Sequence, residues 1–392
     1  MKDRTVYLDH AATTPMVPAA IEAMTAELAR VGNASSLHAS GRRARRAVEE
    51  SRERIAHALG VRPSEIVFTS GGTEADNLAL KGIFWSRRAA DPRRVRILSS
   101  AIEHHAVLDS LHWLEYAEGA KVELVGVDAE ARLRLDELRA AVEADPSSVA
   151  LISVMWANNE VGTRQPIEEV AALAAAYDIP VHTDAVQAVG AVPVDATGVH
   201  ALSLTGHKVG GPIGVGALKV ARELEVTALV HGGGQERDIR SGTSATAGIV
   251  GFGVAVELAV AGQAEYAARV GALREELVAR VLAEVPDAVR NGPADPADAL
   301  PGIAHLTFPG CEGDSLLMLL DAHGVECSTG SACSAGVPQP SHVLLATGHS
   351  PEAARGSLRF SLGRTTTRAD LDRLVAAIGP CVERARAAGL NR

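Results

Sequence analysis

The chain has 392 residues, enough for two or three domains that each bury a sizeable core. It is 47% hydrophobic and 22% charged, and its 37 glycines and 18 prolines fall well short of a low-complexity composition. A net charge of −10 and only 3% aromatic residues argue against nucleic-acid binding as its main business, because a basic footprint and stacking platforms are both lacking.

The opening, Met1 to Thr5, carries charges but no apolar run follows it, so no signal peptide is expected. The longest near-apolar run, Val149 to Ala157, is interrupted by Ser153 and is far too short to span a bilayer. Cys311, Cys327, Cys333 and Cys381 form no C-x-x-C pair and no zinc spacing. Each is therefore expected to be either buried and inert or reactive, in a cytoplasmic protein without a disulfide framework.

In chain order, Tyr7-Leu8-Asp9-His10-Ala11-Ala12-Thr13-Thr14-Pro15 is short, extended and ends in turn chemistry. Val17, Ile21, Met24 and Leu28 then follow helical spacing. After a loop at Gly32-Asn33-Ala34-Ser35-Ser36, a second helix begins near Gly41 and turns Val48, Ile55 and Leu59 inward. Its first turns hold Arg42, Arg43, Arg45 and Arg46, the wrong sign for a helix N-terminus. This run reads as a solvated face, with a docking patch for an acidic partner as the alternative.

From residue 64 onward, strand and helix alternate. Ile66 to Thr69, Val95 to Ser99, Val122 to Val125, Val149 to Val154, Ile179 to His182, Ala201 to Leu204 and Ile213 to Leu218 read as strands. Helices are expected over Glu74 to Arg88, Ala106 to Ala117, Leu135 to Val142 and after Pro166. Short apolar runs separated by helices predict an α/β fold with a mostly parallel sheet covered on both faces. In such sheets ligands sit at the carboxyl ends of the strands, where the polar motifs of this chain fall. A long helical stretch, Ala247 to about Val285, precedes a pattern that suggests a smaller α+β unit. Thr367 with Asp370 caps a final helix that carries Leu371, Leu374, Val375 and Ile378.

Chemistry is concentrated around Thr205-Gly206-His207-Lys208, where an apolar run breaks into glycines. A lysine on a turn at a strand end is either a plain surface residue or the covalent anchor of an aldehyde cofactor, for which pyridoxal phosphate is the usual choice. That cofactor needs a carboxylate for its ring nitrogen, an anion cradle and something to cover the ring. Asp184, at the end of a strand and 24 residues before Lys208, supplies the first. Ser70-Gly71-Gly72-Thr73, between a strand and a helix, supplies the second through backbone N–H groups and the helix N-terminus. His104 or His105 could lie over the ring; without a third ligand at standard spacing, a zinc site is not expected. Gln187 and Asn159 are candidates for the phenolic oxygen. Arg359, on a strand, suits capture of a substrate carboxylate. Cys333, in the small-residue loop Ser328-Thr329-Gly330-Ser331-Ala332-Cys333-Ser334-Ala335-Gly336, reads as an exposed nucleophile, while Cys327 reads as buried.

Together these segments resemble the NifS/IscS-type cysteine desulfurases of the class V aminotransferase superfamily. The resemblance runs from Leu8-Asp9-His10-Ala11-Ala12-Thr13-Thr14-Pro15 to Arg359-Phe360-Ser361-Leu362-Gly363-Arg364. Its most specific parts are Thr205-Gly206-His207-Lys208, His231-Gly232-Gly233-Gly234, Arg240-Ser241-Gly242-Thr243 and Gly330-Ser331-Ala332-Cys333, the last typical of the long-loop branch. Gly32-Asn33-Ala34-Ser35-Ser36 is similar to actinobacterial members.

The resemblance implies the type I fold of pyridoxal-phosphate-dependent transferases, with a large cofactor-binding domain at 15–255. A small domain would comprise 1–14 and 256–392 and carry the cysteine loop at about 328–341. By the same resemblance Lys208 holds pyridoxal phosphate, Asp184 pairs with its ring nitrogen and His104 stacks on the ring. Gln187 and Asn159 contact cofactor and substrate. Gly72, Thr73, Thr205 and His207 reach the phosphate, joined by Thr243 from the other subunit of a homodimer. Asn33 and Arg359 hold the substrate carboxylate, and Cys333 accepts sulfur as a persulfide. Cys333 could also serve transiently as a cluster ligand shared with a scaffold; no intrinsic metal is implied. The implied activity converts L-cysteine to L-alanine and passes sulfur to acceptor proteins for iron–sulfur cluster assembly or tRNA thiolation. A selenocysteine lyase or an aminotransferase on the same fold is the alternative. Departures from the family pattern are Gly72 for the commoner alanine, and Thr205 and Thr329 for serines.

Overall fold

The computed structural model describes residues 5–330 and 340–389. Strand β1 (Val6–Tyr7) leads into helices α1 (Pro18–Leu28) and α2 (Ala39–Ala58). The alternating section then runs β2 (Ile66–Thr69), α3 (Gly72–Ala90), β3 (Arg96–Ser100), α4 (His105–Glu118), β4 (Lys121–Val125), α5 (Leu135–Ala144), β5 (Val149–Ser153), α6 (Ile167–Ala175), β6 (Val181–Asp184), β7 (Ala201–Thr205) and β8 (Gly216–Val220). Its seven strands form one sheet in the order β2-β8-β7-β6-β5-β3-β4. The block from β7 to β4 is parallel throughout, and only β8 runs against its two neighbours. The reason is the link from β7 to β8. Residues 206–215 are too few for a helical crossover, so the chain turns back on itself and the lysine motif sits in that turn. Every residue of β5, β6, β7 and β8 is buried, as expected of strands covered on both faces.

The remaining elements are α7 (Thr246–Ala261), α8 (Gln263–Glu284), β9 (Val289–Asn291), β10 (Ile303–Thr307), α9 (Gly313–Ala322), β11 (Val325–Glu326), α10 (His342–Ala346), α11 (Pro351–Arg355), β12 (Ser357–Ser361) and α12 (Arg368–Gly389). An antiparallel sheet β12-β10-β9 and a parallel pair β1-β11 support a second core, in which Val6 and Leu8 join Leu306, Phe308, Phe360, Leu374 and Ile378. The cap of α12 forms as expected, with Asp370 accepting the Thr367 N–H at 2.8 Å. No single helix among the described residues is long and apolar enough to cross a membrane.

Two expectations need correction, and α1 packs through a face that its apolar spacing does not mark. The stretch 247–285 is two helices bent by 70°, broken at Gly262. Glycine is a poor helix residue, and the break carries the chain from the core that holds Phe252 and Val256 to the one that holds Leu277 and Val281. The apolar stripe of α1 does not mark its buried face, for Ile21 and Leu28 are 48% and 65% exposed. Instead α1 lies against α7 through small groups: a Cβ at Gly251 would stand 3.3 Å from the Ala20 carbonyl oxygen. Finally, the basic run of α2 is only partly a solvated face. Arg43 donates both to Oε1 (2.7 Å) and to Oε2 (2.9 Å) of the buried Glu27.

A second ion pair fixes the glycine-rich segment after β8. Glu236 accepts two hydrogen bonds from Arg52, at 2.7 and 2.8 Å, and a third from the Phe68 N–H at 2.9 Å. Glu236, Arg237 and Asp238 all take left-handed φ values of 49°, 60° and 60°, unfavourable for residues with side chains. The buried bidentate pair offsets that cost. Glu236→Ala should therefore lower unfolding stability by about 2 kcal/mol, because Arg52 loses its bidentate partner, though it keeps Glu49 and the Ile66 carbonyl, and the strained turn is released. Denaturant unfolding of the variant measures this directly.

Candidate active site

The turn after β7 is closed by backbone bonds, from Gly206 N–H to Val215 C=O at 2.9 Å and from Gly211 N–H to Gly206 C=O at 2.8 Å. It projects Lys208 under the segment 9–14. The Lys208 ammonium donates to the carbonyl oxygens of Ala11 and Ala12. The same segment receives Gln187, whose amide donates to the Ala11 carbonyl at 2.9 Å, and His207, whose Nδ1 lies 3.3 Å from Thr13 Oγ1. Burial, and then the Arg359 cation, push the Lys208 amine down to about 8, against the opposing pull of Asp184 and Asp9. Lysine, aspartates and arginine thus share one electrostatic neighbourhood.

Asp184 ends β6 and is buried, with its Oδ1 accepting the Val186 N–H at 2.8 Å. Burial first and the Asp76 carboxyl second push it up to about 7. Asp76 itself was invisible in the sequence. Near the start of α3 it reads as an acid favouring the helix dipole, yet it faces the sheet and is 1% exposed. There it meets His182, whose Nε2 lies 3.5 Å from Asp76 Oδ1 and 3.0 Å from Ser203 Oγ, while its Nδ1 lies 2.9 Å from Ser153 Oγ. Burial pushes Asp76 up to about 7 and His182 down to about 4, so both directions favour neutral groups in contact over an ion pair.

Gly71 caps α3, and Gly72 and Thr73 form its first turn, at the carboxyl end of β2. The fit here is close: a Cβ on Gly72 would stand 2.8 Å from Val186 Cγ2, and one on Gly216 would stand 2.7 Å from the Gly71 carbonyl carbon. Thr205 is buried beside this loop, its Oγ1 3.9 Å from the Cβ position of Gly71. The result is a helix N-terminus with hydroxyls and backbone N–H groups gathered around a gap shaped by glycines.

His104 caps α4 through its Nδ1, which accepts the Ala106 N–H at 3.1 Å. Desolvation first and the Lys208 cation second push it down to about 4, which leaves a neutral imidazole. Before it, Glu103 is fully buried and accepts the Met155 N–H at 2.8 Å; burial raises this carboxyl well above its ordinary value. Arg359 is 4% exposed. It donates from Nη1 to the Asn159 carbonyl at 3.0 Å and from Nη2 to Asp9 Oδ1 at 2.8 Å, so Asn159 contributes its backbone here. Asp9 is a second participant that sequence reading missed, because its segment reads only as turn chemistry.

The contacts that tie Lys208, Asp184, His104, Gln187, His207 and Arg359 together do not extend to Asn33 or Thr243. Asn33 is exposed and its Oδ1 accepts the Ser35 N–H at 2.9 Å, serving its own turn. Thr243 is exposed three residues beyond Arg240, which pairs with Glu74 of α3 at 2.7 Å. Cys333 lies outside the described residues. Cys327 is half-buried, where burial was expected; desolvation first and Asp9 second push its thiol up to about 12, which makes it a poor nucleophile. No cluster of three metal-ligating side chains occurs among the described residues.

An amine, a buried carboxyl that a cationic partner would relieve, a neutral imidazole and a glycine-shaped helix N-terminus together fit a pyridine aldehyde that carries a phosphate. The class-V aminotransferase model matches residues 6–374. The chain is 57% identical over 386 residues to an IscS-like cysteine desulfurase of Mycobacterium tuberculosis, covering 98% of each. It is 44% identical over 386 residues to the cysteine desulfurase IscS of Dictyoglomus turgidum, covering 98% of this chain and 96% of that one. A solved NifS-like protein superposes with a TM-score of 0.88 at 35% identity, covering 97% of this chain and 100% of that one. The chain therefore belongs to the class-V aminotransferase family, on the sequence match and the shared fold alike.

Proposed function

We propose that this chain is a pyridoxal-phosphate-dependent cysteine desulfurase that converts L-cysteine to L-alanine and carries the released sulfur on Cys333. The observation that carries this reading is the Lys208 amine set beside the buried Asp184 carboxyl at the carboxyl ends of adjacent strands β6 and β7. When bound, the cofactor supplies an electron sink next to the substrate's α-carbon.

The chain's own residues do the rest. Lys208, with its lowered proton affinity, anchors the cofactor and afterwards moves a proton at the substrate α-carbon. Asp184 holds positive charge on the ring nitrogen. His104 covers the ring as a neutral imidazole, and Gln187 and Asn159 fix its polar edge. Gly72, Thr73, Thr205 and His207 hold the phosphate, with Thr243 contributed by a second copy. Asn33 and Arg359 hold the substrate carboxylate.

The sulfur-carrying role of Cys333 draws support from the ends of its segment. Ser341 donates to Glu160, and a Cβ on Gly330 would stand 3.4 Å from the same carboxylate, next to Asn159. The homodimer draws support from exposed apolar groups around α1 and the following loop, with Val31 at 87% and Leu37 at 86% exposure. The separate core built from Val6, Leu8 and the segments after α7 supports a large domain at 15–255 and a small one made of 1–14 and 256–392. A cytoplasmic location, and delivery of sulfur to an iron–sulfur scaffold or a tRNA-thiolating enzyme, complete the proposal.

Cys333→Ser should keep the yellow cofactor absorbance and lose persulfide formation, read by mass spectrometry after incubation with L-cysteine. Sulfur transfer at the wild-type rate in that variant would remove the thiol from the reaction. Lys208→Ala should leave the cofactor bound without a covalent link, so borohydride reduction would label no lysine of the variant and Lys208 alone in the wild type. A third outcome concerns pH. The neutral amine is the attacking form, and Lys208 sheds its proton near 8 where an ordinary lysine does so near 10.5. The rate of covalent cofactor uptake by the apoprotein should therefore climb as pH rises through about 8 and then level off, as followed by stopped-flow absorbance.

A further inference from the structure

In the chain, Cys333 lies between Gly330 and Ser341, and both of these residues meet the side chain of Glu160. The buried Ser341 hydroxyl donates to Glu160 Oε2, and a Cβ on Gly330 would stand 3.4 Å from the same oxygen. Glu160 is 3% exposed, and its turn is held by a neighbour. Asn158 Oδ1 accepts the Glu160 N–H at 2.8 Å and the Val161 N–H at 3.0 Å, while Asn158 Nδ2 donates to the Ile102 carbonyl at 3.0 Å. The same turn offers the Asn159 carbonyl to Arg359. Gly330 is confined on a second side. Asn291 Nδ2 lies 2.9 Å from His305 Nδ1. An amide N–H can only donate, so Nδ1 accepts and the ring proton stands on Nε2. That buried nitrogen has no hydrogen-bond partner among the described residues, and a Cβ on Gly330 would stand 3.2 Å from it. The chain therefore passes between an imidazole N–H and a carboxyl group, at a left-handed φ of 84° that suits glycine.

The flanking residues tie the same two points to the site. Before Gly330, Ser328 exchanges backbone hydrogen bonds with Arg359, at 2.7 and 3.1 Å. After Ser341, His342 donates from Nε2 to the Glu103 carbonyl at 2.9 Å, next to His104 in the chain. We propose that Glu160 is a positioning residue for sulfur transfer: its side chain fixes both ends of the segment that carries Cys333 and sets them beside the turn that backs Arg359. The inference rests on the reading of Cys333 as the sulfur carrier. Fixing the ends of a segment limits the space its middle can search, which raises the effective concentration of a group on it at a nearby site. Arg359 does not depend on the Glu160 side chain, because Asn158 holds the turn through bonds that this side chain does not make. Loss of the Glu160 side chain is thus expected to spare substrate binding and slow the sulfur step.

The test reads two steps in the holoenzyme. The first is the change in cofactor absorbance on titration with L-cysteine, and the second is single-turnover persulfide formation on Cys333, followed by mass spectrometry. Glu160→Ala and Ser341→Ala should each slow the second step by about tenfold, the worth of one hydrogen bond to a charged group, and leave the L-cysteine midpoint of the first unchanged. The double variant should be no slower than either single one, since both remove the same bond. Glu160→Gln and Ser341→Thr, which keep an acceptor and a hydroxyl, should recover part of the rate. Equal losses at both steps would reduce Glu160 to a general support of the fold and overturn the proposal, as would unchanged persulfide formation or additive losses in the double variant. If Glu160→Ala fails to hold the cofactor, Ser341→Ala against Ser341→Thr decides by the same two readings. Cys333→Ser is the separate control: if it still passed sulfur at the wild-type rate, the reading of Cys333 itself would fall, whatever the Glu160 variants do.

Discussion

The site depends on a charge placed where solvent cannot neutralise it. Lys208 and Asp184 end or follow neighbouring strands of a sheet that is buried on both faces, and each is pushed toward its neutral form by that burial. In water the pair would be an ordinary ammonium and an ordinary carboxylate. Here the amine is close to giving up its proton and the carboxyl close to keeping one, so a cofactor with a basic ring nitrogen and an aldehyde is matched to both at once. The surrounding polar residues carry the same logic further. Burial pushes Glu103, Asp76 and His182 toward their neutral forms in the sheet's interior, which limits the uncompensated charge behind Asp184.

Two cores meet over this pair. The first covers the large sheet, and the second takes its residues from both ends of the chain, Val6 and Leu8 together with the segments after α7. The segment 9–14 crosses from one to the other and is held at both places, by Ser361 on one side and by His207 and Gln187 on the other. Arg359 of the second core thereby reaches the electrostatic field of Lys208 in the first. A rotation between the two cores would be felt first at those six residues.

Much of this was legible in the sequence, because strand–helix alternation and turn chemistry are local signals. Lys208, Asp184 and Gly72 each fall where a strand ends, and position at a strand's carboxyl end is readable from the apolar run before it. What stayed hidden was tertiary. Nothing local reveals that Asp76 turns inward from the first turns of α3, or that Asp9 reaches across to a strand 350 residues away. The packing face of α1 was hidden for a related reason. Close helix contact is made by glycine and alanine, which a search for large apolar residues passes over. The break at Gly262 was missed because alanine-rich helices flank it on both sides, and only the separation of the two cores shows why the chain bends there.

The glycine at position 72, in the first turn of α3, has a wider consequence. The methyl group that an alanine would carry at position 72 would press against Val186 Cγ2, on the residue two places beyond Asp184. Val186 is β-branched and so restricted in the ways it can turn aside. The two positions therefore share volume: glycine at 72 leaves room for the Val186 branch, and an alanine there would have to move it. The loop that opens α3 and the turn that follows Asp184 are thus coupled through one methyl contact.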